Sequence, residues 1–485
     1  MLVGMDHRPN LPYAVPKASS DPLPEIAEFL EPFAPLFRRS QSRNSLERYI
    51  TGLLTDLDRK NCDTIASALA GTSTERLQHL LTDADWDSLE LDEVRVRSLS
   101  AKSPKGGVLV LDDTSFPKQG KASVGVARQY CGALGKRANC QVVVSAQYVA
   151  DEPESSRPLH WPVSAQLYLP EGWATDRERR ERAHVPEEVI FRSKPQIALC
   201  LVDLSREWEV PSEVVVADSG YGKYPSFLGG LEERKLSYVC AVESTFGVRL
   251  PCEVRAASEA GAPPYTGRGQ PPKERPSPLY TARELIGSLP EEAWRTVSWR
   301  EGTKGTLSKQ MVALRTHRAT GSSRQSIDHE LVLTAAEGWL IGERPLPGEP
   351  SSAHKKNEGE EELKYYYSTL GAEVPLERLA SLAKSRWAIE QFYEDAKGEC
   401  GLSDYQGRRW EGLHRHLALS MVAYSLLMLH SSVTRGAGGS SSEAFSPLGQ
   451  AHDASGHPQA GTGVAFGGPG SMVHRNREDQ ELPSS

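Results

Sequence analysis

Two short apolar runs, each followed directly by aspartate, place the strongest constraint on the fold of this chain. Val108–Leu111 leads into Asp112 and Asp113, and Val214–Ala217 leads into Asp218. Uninterrupted apolar runs of this length are typical of strands that are buried on both faces of a sheet. Such sheets bind ligands at the carboxyl ends of their strands. Although an aspartate at such a position can also be a simple turn or helix cap, two of them predict a site at one edge of an α/β core.

The elements around these runs predict a mixed α/β sheet. Further strand-like runs cover 141–149, 164–169 and 238–242, and apolar residues at helical spacing cover 194–208. Towards the C-terminus the pattern predicts one long helix over 375–399 and a second, apolar helix over 411–430. Strands that alternate with helices in this way are typical of an α/β fold.

Shifts in composition divide the chain into six parts. These are a disordered N-terminus (1–23), a helical N-terminal domain that is a candidate DNA-binding domain (24–100), the first part of the α/β core (101–243), a β-rich insertion (244–365), the C-terminal helices of the core (366–433) and a disordered Gly/Ser-rich tail (434–485).

Charge is distributed unevenly along the chain. The net charge is −8, which alone argues against a nucleic-acid-binding protein. Between positions 101 and 137, however, seven Lys or Arg residues accompany only Asp112 and Asp113. The chain shows no secretory leader and no apolar run of about 18 residues that could cross a membrane. Its seven cysteines lack metal-site spacing. We therefore expect a cytoplasmic protein with a local basic site.

A third acid, Glu390, lies in the helical pattern near the C-terminus. At about 100° per residue, Arg386, Glu390 and Lys397 cluster beside the apolar stripe of this helix. These charges border the surface on which the helix packs, so they are candidates for a cleft. A solvent-exposed pair of Arg386 and Glu390, four residues apart, is the alternative. The periodicity alone leaves both open.

Three segments together resemble one family. SRWAIEQFYEDAKGECGLSDYQGRRWEGLHRH resembles the C-terminal signature of the DDE transposases of bacterial insertion sequences, in the subgroup with the pattern Y-x2-R-x3-E-x6-K. Arg386, Glu390 and Lys397 match the last three positions of this pattern, and Ala383 stands at the tyrosine position. LDDTSFPKQGKASVGVARQYCGALGKRANCQ and VVVADSGYGKYPSFLGGL resemble the regions of the first and second aspartates. The resemblance covers roughly residues 25–430.

The resemblance implies an RNase H-like core with a β-rich insertion before the glutamate helix. It also implies that Asp113, Asp218 and Glu390 hold two Mg²⁺ ions, with Mn²⁺ as a substitute, and that the protein cuts and joins DNA by two-metal phosphoryl transfer. The family pattern places the first ligand directly before Thr114, which favours Asp113. Asp112 is not interchangeable with it, because adjacent residues of a strand point to opposite faces.

The implied partner is double-stranded DNA, at the transposon ends and at the target. A homodimer assembled on DNA, associated with the bacterial nucleoid and independent of membranes, is expected. The candidate phosphate contacts are Lys118, Lys121, Arg128, Arg386, Lys397, Arg408, Arg409 and Arg415. Trp339, in the insertion, is the candidate for stacking on a flipped base. For Trp339 the alternative is ordinary packing.

Two other classes of function remain open at this stage. One is a catalytically inactive or domesticated relative that binds DNA, and the other is a different metal-dependent phosphohydrolase, which would not need the basic flanks. Metal-dependent cleavage of DNA separates the transposase from the inactive relative. The presence of all three acids favours the transposase.

Overall fold

The computed structural model describes residues 17–19, 21–152, 158–261, 264, 266–267, 277–302, 305–319, 337–348 and 363–436. We predicted disorder for 1–23 and 434–485, and residues 1–16, 20 and 437–485 of these segments lie outside the described residues.

Five α-helices form the N-terminal part of the chain. They are α1 (Pro24–Leu30), α2 (Ser40–Leu54), α3 (Cys62–Ala68), α4 (Thr74–Thr82) and α5 (Ser88–Ser100), with a 3-10 turn at Glu31–Leu36. The side chains of Asn61, Ser73 and Asp87 cap α3, α4 and α5 by accepting backbone N–H bonds. These helices bury Leu46, Ile50 and other apolar side chains along one stripe each.

Within the described residues, twelve strands form one mixed sheet. They are β1 (Gly107–Pro117), β2 (Ala127–Cys131), β3 (Lys136–Val149), β4 (His160–Leu167), β5 (Ser212–Ala217), β6 (Ser237–Val242), β7 (Gly247–Arg249), β8 (Tyr280–Thr281), β9 (Arg295–Gly302), β10 (Gly305–Arg318), β11 (Gly338–Arg344) and β12 (Lys364–Ser368).

The centre of the sheet has the order β4-β3-β1-β5-β6. Strand β1 pairs antiparallel with β3 and parallel with β5, and β5 pairs parallel with β6. After β6 the sheet continues through β12, β11 and β10, which are antiparallel neighbours. The strands of the predicted β-rich insertion thus extend the central sheet.

The remaining helices cover the two faces of this sheet. They are α6 (Glu171–Ala174), α7 (Arg177–Arg182), α8 (Lys194–Glu207), α9 (Ser219–Gly222), α10 (Pro225–Glu233), α11 (Pro251–Ala260), α12 (Ala282–Gly287), α13 (Leu376–Lys384), α14 (Trp387–Glu399) and α15 (Trp410–Gly436). Helices α8 and α10 pack on one face of the central strands. Helices α14 and α15 share a hydrophobic core with the other face and with the N-terminal helices. Within the described ranges, no helix has both the length and the apolar character needed to cross a bilayer.

The single long helix predicted over 375–399 is wrong, because the structure divides it into α13 and α14. The helices meet at Ser385 and Arg386, where three backbone bonds span three residues instead of four, among them Ser385 N–H to the Leu382 carbonyl. The Ser385 hydroxyl also donates to the Leu382 carbonyl, at 2.7 Å. Such local side-chain bonds compete with a regular helix. The last helix reaches Gly436, beyond the predicted end at 430.

Candidate active site

Asp112 and Asp218 lie side by side on neighbouring parallel strands. Leu111 of β1 pairs with Ala217 of β5, so the next residue on each strand is one of the two aspartates. Burial raises the pKa of Asp112 to about 7, and the negative charge of Asp218 adds to this effect. Burial is also the main cause of the raised pKa of Asp218. The two half-buried carboxyl groups therefore form an acidic pair, and Asp113 lies near Asp218 as well.

One oxygen of this pair lacks a regular hydrogen bond. Asp218 Oδ1 is buried and has no hydrogen-bond partner in the described part of the chain. The backbone N–H groups of Gly220 and Tyr221 lie near enough to the Asp218 carboxylate to lower its pKa. A side-chain carbon at Gly220 would lie only 2.9 Å from this oxygen, so glycine keeps the space beside it open. A buried, unpartnered carboxylate oxygen is costly unless something binds it.

Asp113 points to the opposite face of the sheet. Both of its carboxylate oxygens accept bonds from Lys194 Nζ, at 3.0 and 3.1 Å, at the start of α8. Asp113 still lies close enough to Asp218 to raise its pKa. On the face that carries the glutamate helix, however, the structure places Asp112 in the position that we had assigned to Asp113. The pleat of β1 is the reason, because it sends consecutive side chains to opposite faces.

Glu390 is linked to this pair through Arg386. One guanidinium nitrogen of Arg386 donates to Asp112 Oδ2 at 2.7 Å, and another donates to Glu390 Oε1. Glu390 lies in the first turn of α14, and its side chain is 57% exposed. Arg386, predicted to contact DNA, is thus engaged by carboxylates on both sides.

The acidic side chains differ in how well they suit a divalent cation. Among the described residues, no three His, Cys, Asp or Glu side chains lie close enough together to hold a metal ion. Asp112 and Asp218 nevertheless fit a hard cation, because they offer adjacent carboxylate oxygens, one of them unpartnered. Glu390 is separated from them by the Arg386 guanidinium. Of the three predicted ligands, Asp113, Asp218 and Glu390, only Asp218 belongs to this pair, and its partner there is Asp112.

Two buried tyrosines that sequence analysis did not single out surround the acids. Tyr393 Oη forms a 2.7 Å hydrogen bond with Ser145 Oγ, and Ser145 pairs with Asp112 across β1 and β3. Tyr221 Oη is buried and has no partner among the described atoms. Burial raises the pKa of both phenols, and the charges of Asp112 and Asp113 raise it further. Their positions, three residues after Asp218 and after Glu390, are the only signal in the sequence.

Arg415 and Arg409 form contacts within the protein. Arg415 is 3% exposed and donates to the carbonyls of Ala84 and Trp86, which precede α5. This burial contradicts its predicted role as a phosphate contact, because the side chain is committed to the packing of α15. Arg409 forms an ion pair with Asp83 at 2.8 Å.

Lys118 and Lys397 are partly buried. Lys118 Nζ donates to the Tyr405 carbonyl at 2.6 Å, and burial lowers its pKa. Lys397 Nζ lies 5.8 Å from the ring centres of both Phe116 and Tyr393. Burial lowers the pKa of Lys397 as well. Each ammonium group therefore has partners within the protein.

Trp339 is held in place by its surroundings. Its indole N–H donates to the Gly371 carbonyl at 2.9 Å, and the Arg315 guanidinium lies 4.8 Å from its ring centre. The side chain is half-buried in β11. This arrangement favours packing, the alternative to base stacking. Lys121, Arg128 and Arg408, the other predicted DNA contacts, are exposed and line one groove.

Two models of known protein families match this chain. The family model for a DDE superfamily endonuclease matches residues 32–306, and the model for a transposase DDE domain matches residues 193–426. The chain therefore belongs to the DDE superfamily of endonucleases. The resemblance to DDE transposases of insertion sequences is thereby confirmed.

The chain is also similar to a curated protein, the probable transposase for insertion sequence element IS701 of Microchaete diplosiphon. The two are 27% identical over 237 residues, which is 48% of this chain and 58% of the relative. Among solved structures, the NurA nuclease from Sulfolobus solfataricus matches 72% of this chain and 92% of its own, at 9% identity and a TM-score of 0.20. That likeness is too weak to support a structural argument.

Proposed function

We propose that this protein is a transposase that cuts and joins DNA at the ends of a mobile element by metal-dependent phosphoryl transfer. The observation that carries the proposal is the half-buried pair of Asp112, within β1, and Asp218, directly after the parallel strand β5. One oxygen of Asp218 is buried without a hydrogen bond, and the Glu390 helix packs on the same face. Double-stranded DNA is the proposed partner, a homodimer on DNA the proposed assembly, and the bacterial cytoplasm the proposed location. Membership of the endonuclease family supports this reading.

An RNase H-like core is part of the proposal. The strand order β4-β3-β1-β5-β6 supports it, since an antiparallel meander of three strands continues into parallel β5 and β6. The first aspartate lies in the middle strand and the second at the end of its parallel neighbour. Helix α14, which carries the glutamate, packs against β1 through its apolar stripe. These positions support a common face for the three carboxylates.

We assign the three metal-holding positions to Asp112, Asp218 and Glu390. Two divalent cations bound there supply the positive charge that an in-line phosphoryl transfer needs on its attacking and leaving oxygens. Asp112 and Asp218 provide the rigid part of the site, because Asp112 lies within β1 and Asp218 directly follows the buried strand β5. Arg386 balances the charge of Asp112 and Glu390 in the metal-free protein. Asp113 fixes the start of α8 through Lys194.

The experiment that tests this assignment compares neighbouring aspartates. Asp112→Asn, Asp113→Asn and Glu390→Gln are incubated with end-labelled transposon-terminus DNA and Mg²⁺, and cleavage and gel shift are measured side by side. We expect Asp112→Asn and Glu390→Gln to abolish cleavage and to keep DNA binding, because an amide of nearly the same shape loses the charge that holds a cation. Asp113→Asn should still cleave, since its carboxylate pairs with Lys194.

Two other outcomes would contradict this assignment or the proposed function. Cleavage by Asp112→Asn at the wild-type rate, with loss of cleavage in Asp113→Asn, would return the metal-holding role to Asp113. Wild-type protein that binds transposon ends but never cleaves them with Mg²⁺ or Mn²⁺ would support the catalytically inactive relative instead.

A further inference from the structure

A groove with only cationic ionisable groups lies beyond the end of β1. It has a volume of about 800 Å³. Five cations from three separate segments line it: Lys121, Arg128, Arg179, Arg182 and Arg408. No carboxylate is among its lining residues. We call it the basic groove.

The walls of the basic groove are fixed by buried contacts. Trp173 of α6 is 2% exposed, and its indole N–H donates to the Val126 carbonyl at 2.7 Å. The Arg179 guanidinium lies over the Trp173 ring, 3.8 Å from its centre. The Val124 N–H donates to the Arg408 carbonyl at 3.1 Å. This hydrogen bond holds the segment before α15 against the same wall. The five cations therefore converge because the fold brings them together.

Three of these cations have no ionic partner. Lys121, Arg128 and Arg408 are exposed and form no salt bridge with any described carboxylate. Elsewhere on the surface some exposed arginines are paired, whereas others, such as Arg39, Arg192 and Arg206, form no salt bridge with a described carboxylate. Arg177, on the same short helix as Arg179, bonds Glu181 at 2.7 Å, and Arg97 bonds Glu93 at 2.8 Å. In a chain with a net charge of −8, uncompensated cations concentrated in one groove produce a local positive potential that favours an anionic ligand.

We propose that the basic groove binds the sugar–phosphate backbone of double-stranded DNA. Guanidinium groups match phosphate oxygens in geometry and charge. The only aromatic lining side chain, Trp173, is buried and covered by Arg179, so no aromatic face is open for an unpaired base. The groove therefore suits the backbone of a duplex, whose bases stay stacked, better than a single strand. The choice of DNA rests on the proposed function.

The position of the groove relates it to the acidic pair. Asp112 and Lys121 are nine residues apart on β1 and its direct continuation. At ~3.3 Å per residue this separation is at most about 30 Å, which is within one helical turn of about 34 Å. A duplex whose reacting phosphate lies at Asp112 and Asp218 can thus reach the basic groove with backbone of its flanking turn. Helix α7, through Arg179 and Arg182, becomes part of the DNA-binding surface.

The test is the salt dependence of DNA binding. The groove variant combines Lys121→Gln, Arg128→Gln and Arg408→Gln, the three groove cations without an ionic partner. The control variant combines Arg97→Gln, Arg177→Gln and Arg295→Gln, which removes the same charge from exposed arginines that are paired with carboxylates. The dissociation constant of a random-sequence DNA duplex is measured at several salt concentrations for both variants and for the wild type. Thermal unfolding midpoints confirm that both variants are folded.

We expect the groove variant to bind at least tenfold more weakly at low salt. The slope of log K against log salt should flatten by about 0.9 for each DNA phosphate that the variant no longer neutralises, hence by about one to three units. The control variant should keep the wild-type slope. An unchanged slope in the groove variant overturns the proposal, as does a change seen with an RNA duplex and absent with DNA.

Failure of this inference is distinguishable from failure of the proposed function. Suppose that the salt dependence of DNA binding is weaker in the groove variant while wild-type protein never cleaves DNA with Mg²⁺. The basic groove is then a DNA-binding site, and the transposase assignment is wrong. If wild-type protein cleaves transposon ends and the groove variant keeps the wild-type salt dependence, only the proposal that the basic groove binds DNA is wrong.

Discussion

At the residue scale, Arg386 has the most consequential contacts in the acidic site. Its guanidinium bonds Asp112 on β1 and Glu390 one turn further along α14. Its charge lowers the pKa of Asp112 and of Asp218, against the burial that raises both. A cation bound to the same carboxylates would take over this role, so Arg386 and a metal ion stabilise the same negative charge.

This competition predicts the behaviour of an Arg386→Ala variant. In EDTA the variant should lose about 2 kcal/mol of unfolding free energy. This is less than the roughly 3–5 kcal/mol that removing one partner of a fully buried pair costs, because the Arg386 side chain is 33% exposed. Mg²⁺ should restore more stability to the variant than to the wild type. Chemical denaturation with and without Mg²⁺ measures both effects, and equal stability of the two proteins in EDTA would contradict the charge-balancing role.

The choice between Asp112 and Asp113 shows where residue-level prediction ends. The alternation of β1 could be read from the sequence, and it correctly put the two side chains on opposite faces. Which face receives α14 depends on packing between segments that are more than 270 positions apart, such as Ile389 and Phe392 against the valines of β1. No local pattern contains that information.

At the element scale, the sequence predicted the strongly periodic helices and strands but not the break between two successive helices. Helix α8 and strands β1, β5 and β6 lie where the apolar patterns predicted them. The joint between α13 and α14 was missed because Ser385 and Arg386 do not interrupt the apolar periodicity around them. Its cause is a bond from a hydroxyl to a carbonyl, which a sequence pattern does not show.

Helix α15 yields a prediction on pH. His416 is buried, with Nδ1 2.8 Å from Tyr49 Oη and Nε2 2.9 Å from the Gly401 carbonyl, and burial lowers its pKa to about 4. Because the folded state binds this proton more weakly than the unfolded state, His416 stabilises the protein above pH 6.5. This contribution is lost as the pH falls towards 4.

The measurement compares wild-type protein with His416→Gln. The variant should be less stable at pH 7, and the difference in unfolding free energy should shrink by up to about 1.4 kcal/mol per pH unit between pH 6.5 and 4. The raised pKa of Asp112 acts in the opposite direction in the same range, so the difference between the two proteins is the informative quantity. A difference that does not change with pH would refute the depressed pKa.

At the scale of the whole molecule, long-range pairing joins segments that the sequence suggested were separate. The predicted insertion extends the central sheet through the pairing of β12 with β6. The N-terminal helices share a core with α15 and with one face of the sheet. Composition and periodicity located both segments, but the partner of an edge strand or of an apolar helix face is a property of the folded chain.

Arg95 connects α5, β4 and α15, so replacing it tests whether these segments unfold together. It lies in α5, is 1% exposed, and bonds Asp92 at 2.7 Å, the carbonyls of Pro162 and Val163 in β4, and Ser425 Oγ in α15 at 3.3 Å. Burial raises the pKa of Asp92, and the Arg95 charge opposes this effect. Removing Arg95 would leave a carboxylate and two carbonyl oxygens buried with fewer partners, which is a large penalty.

We therefore expect Arg95→Met to lower the unfolding free energy by roughly 3–5 kcal/mol. The matched control is Arg97→Met on the same helix, whose partners Glu93 and Glu209 are on the surface, and it should change stability by about 0.5 kcal/mol or less. Tryptophan fluorescence during urea unfolding reports the nine tryptophans together, among them Trp86 next to the N-terminal helices and Trp161 in β4. Because Arg95 joins these parts, the wild type should unfold in one transition, and Arg95→Met should shift that whole transition to lower urea. A variant in which only an N-terminal step moves, while the rest of the curve stays in place, would mean that the N-terminal helices fold independently of the sheet and α15.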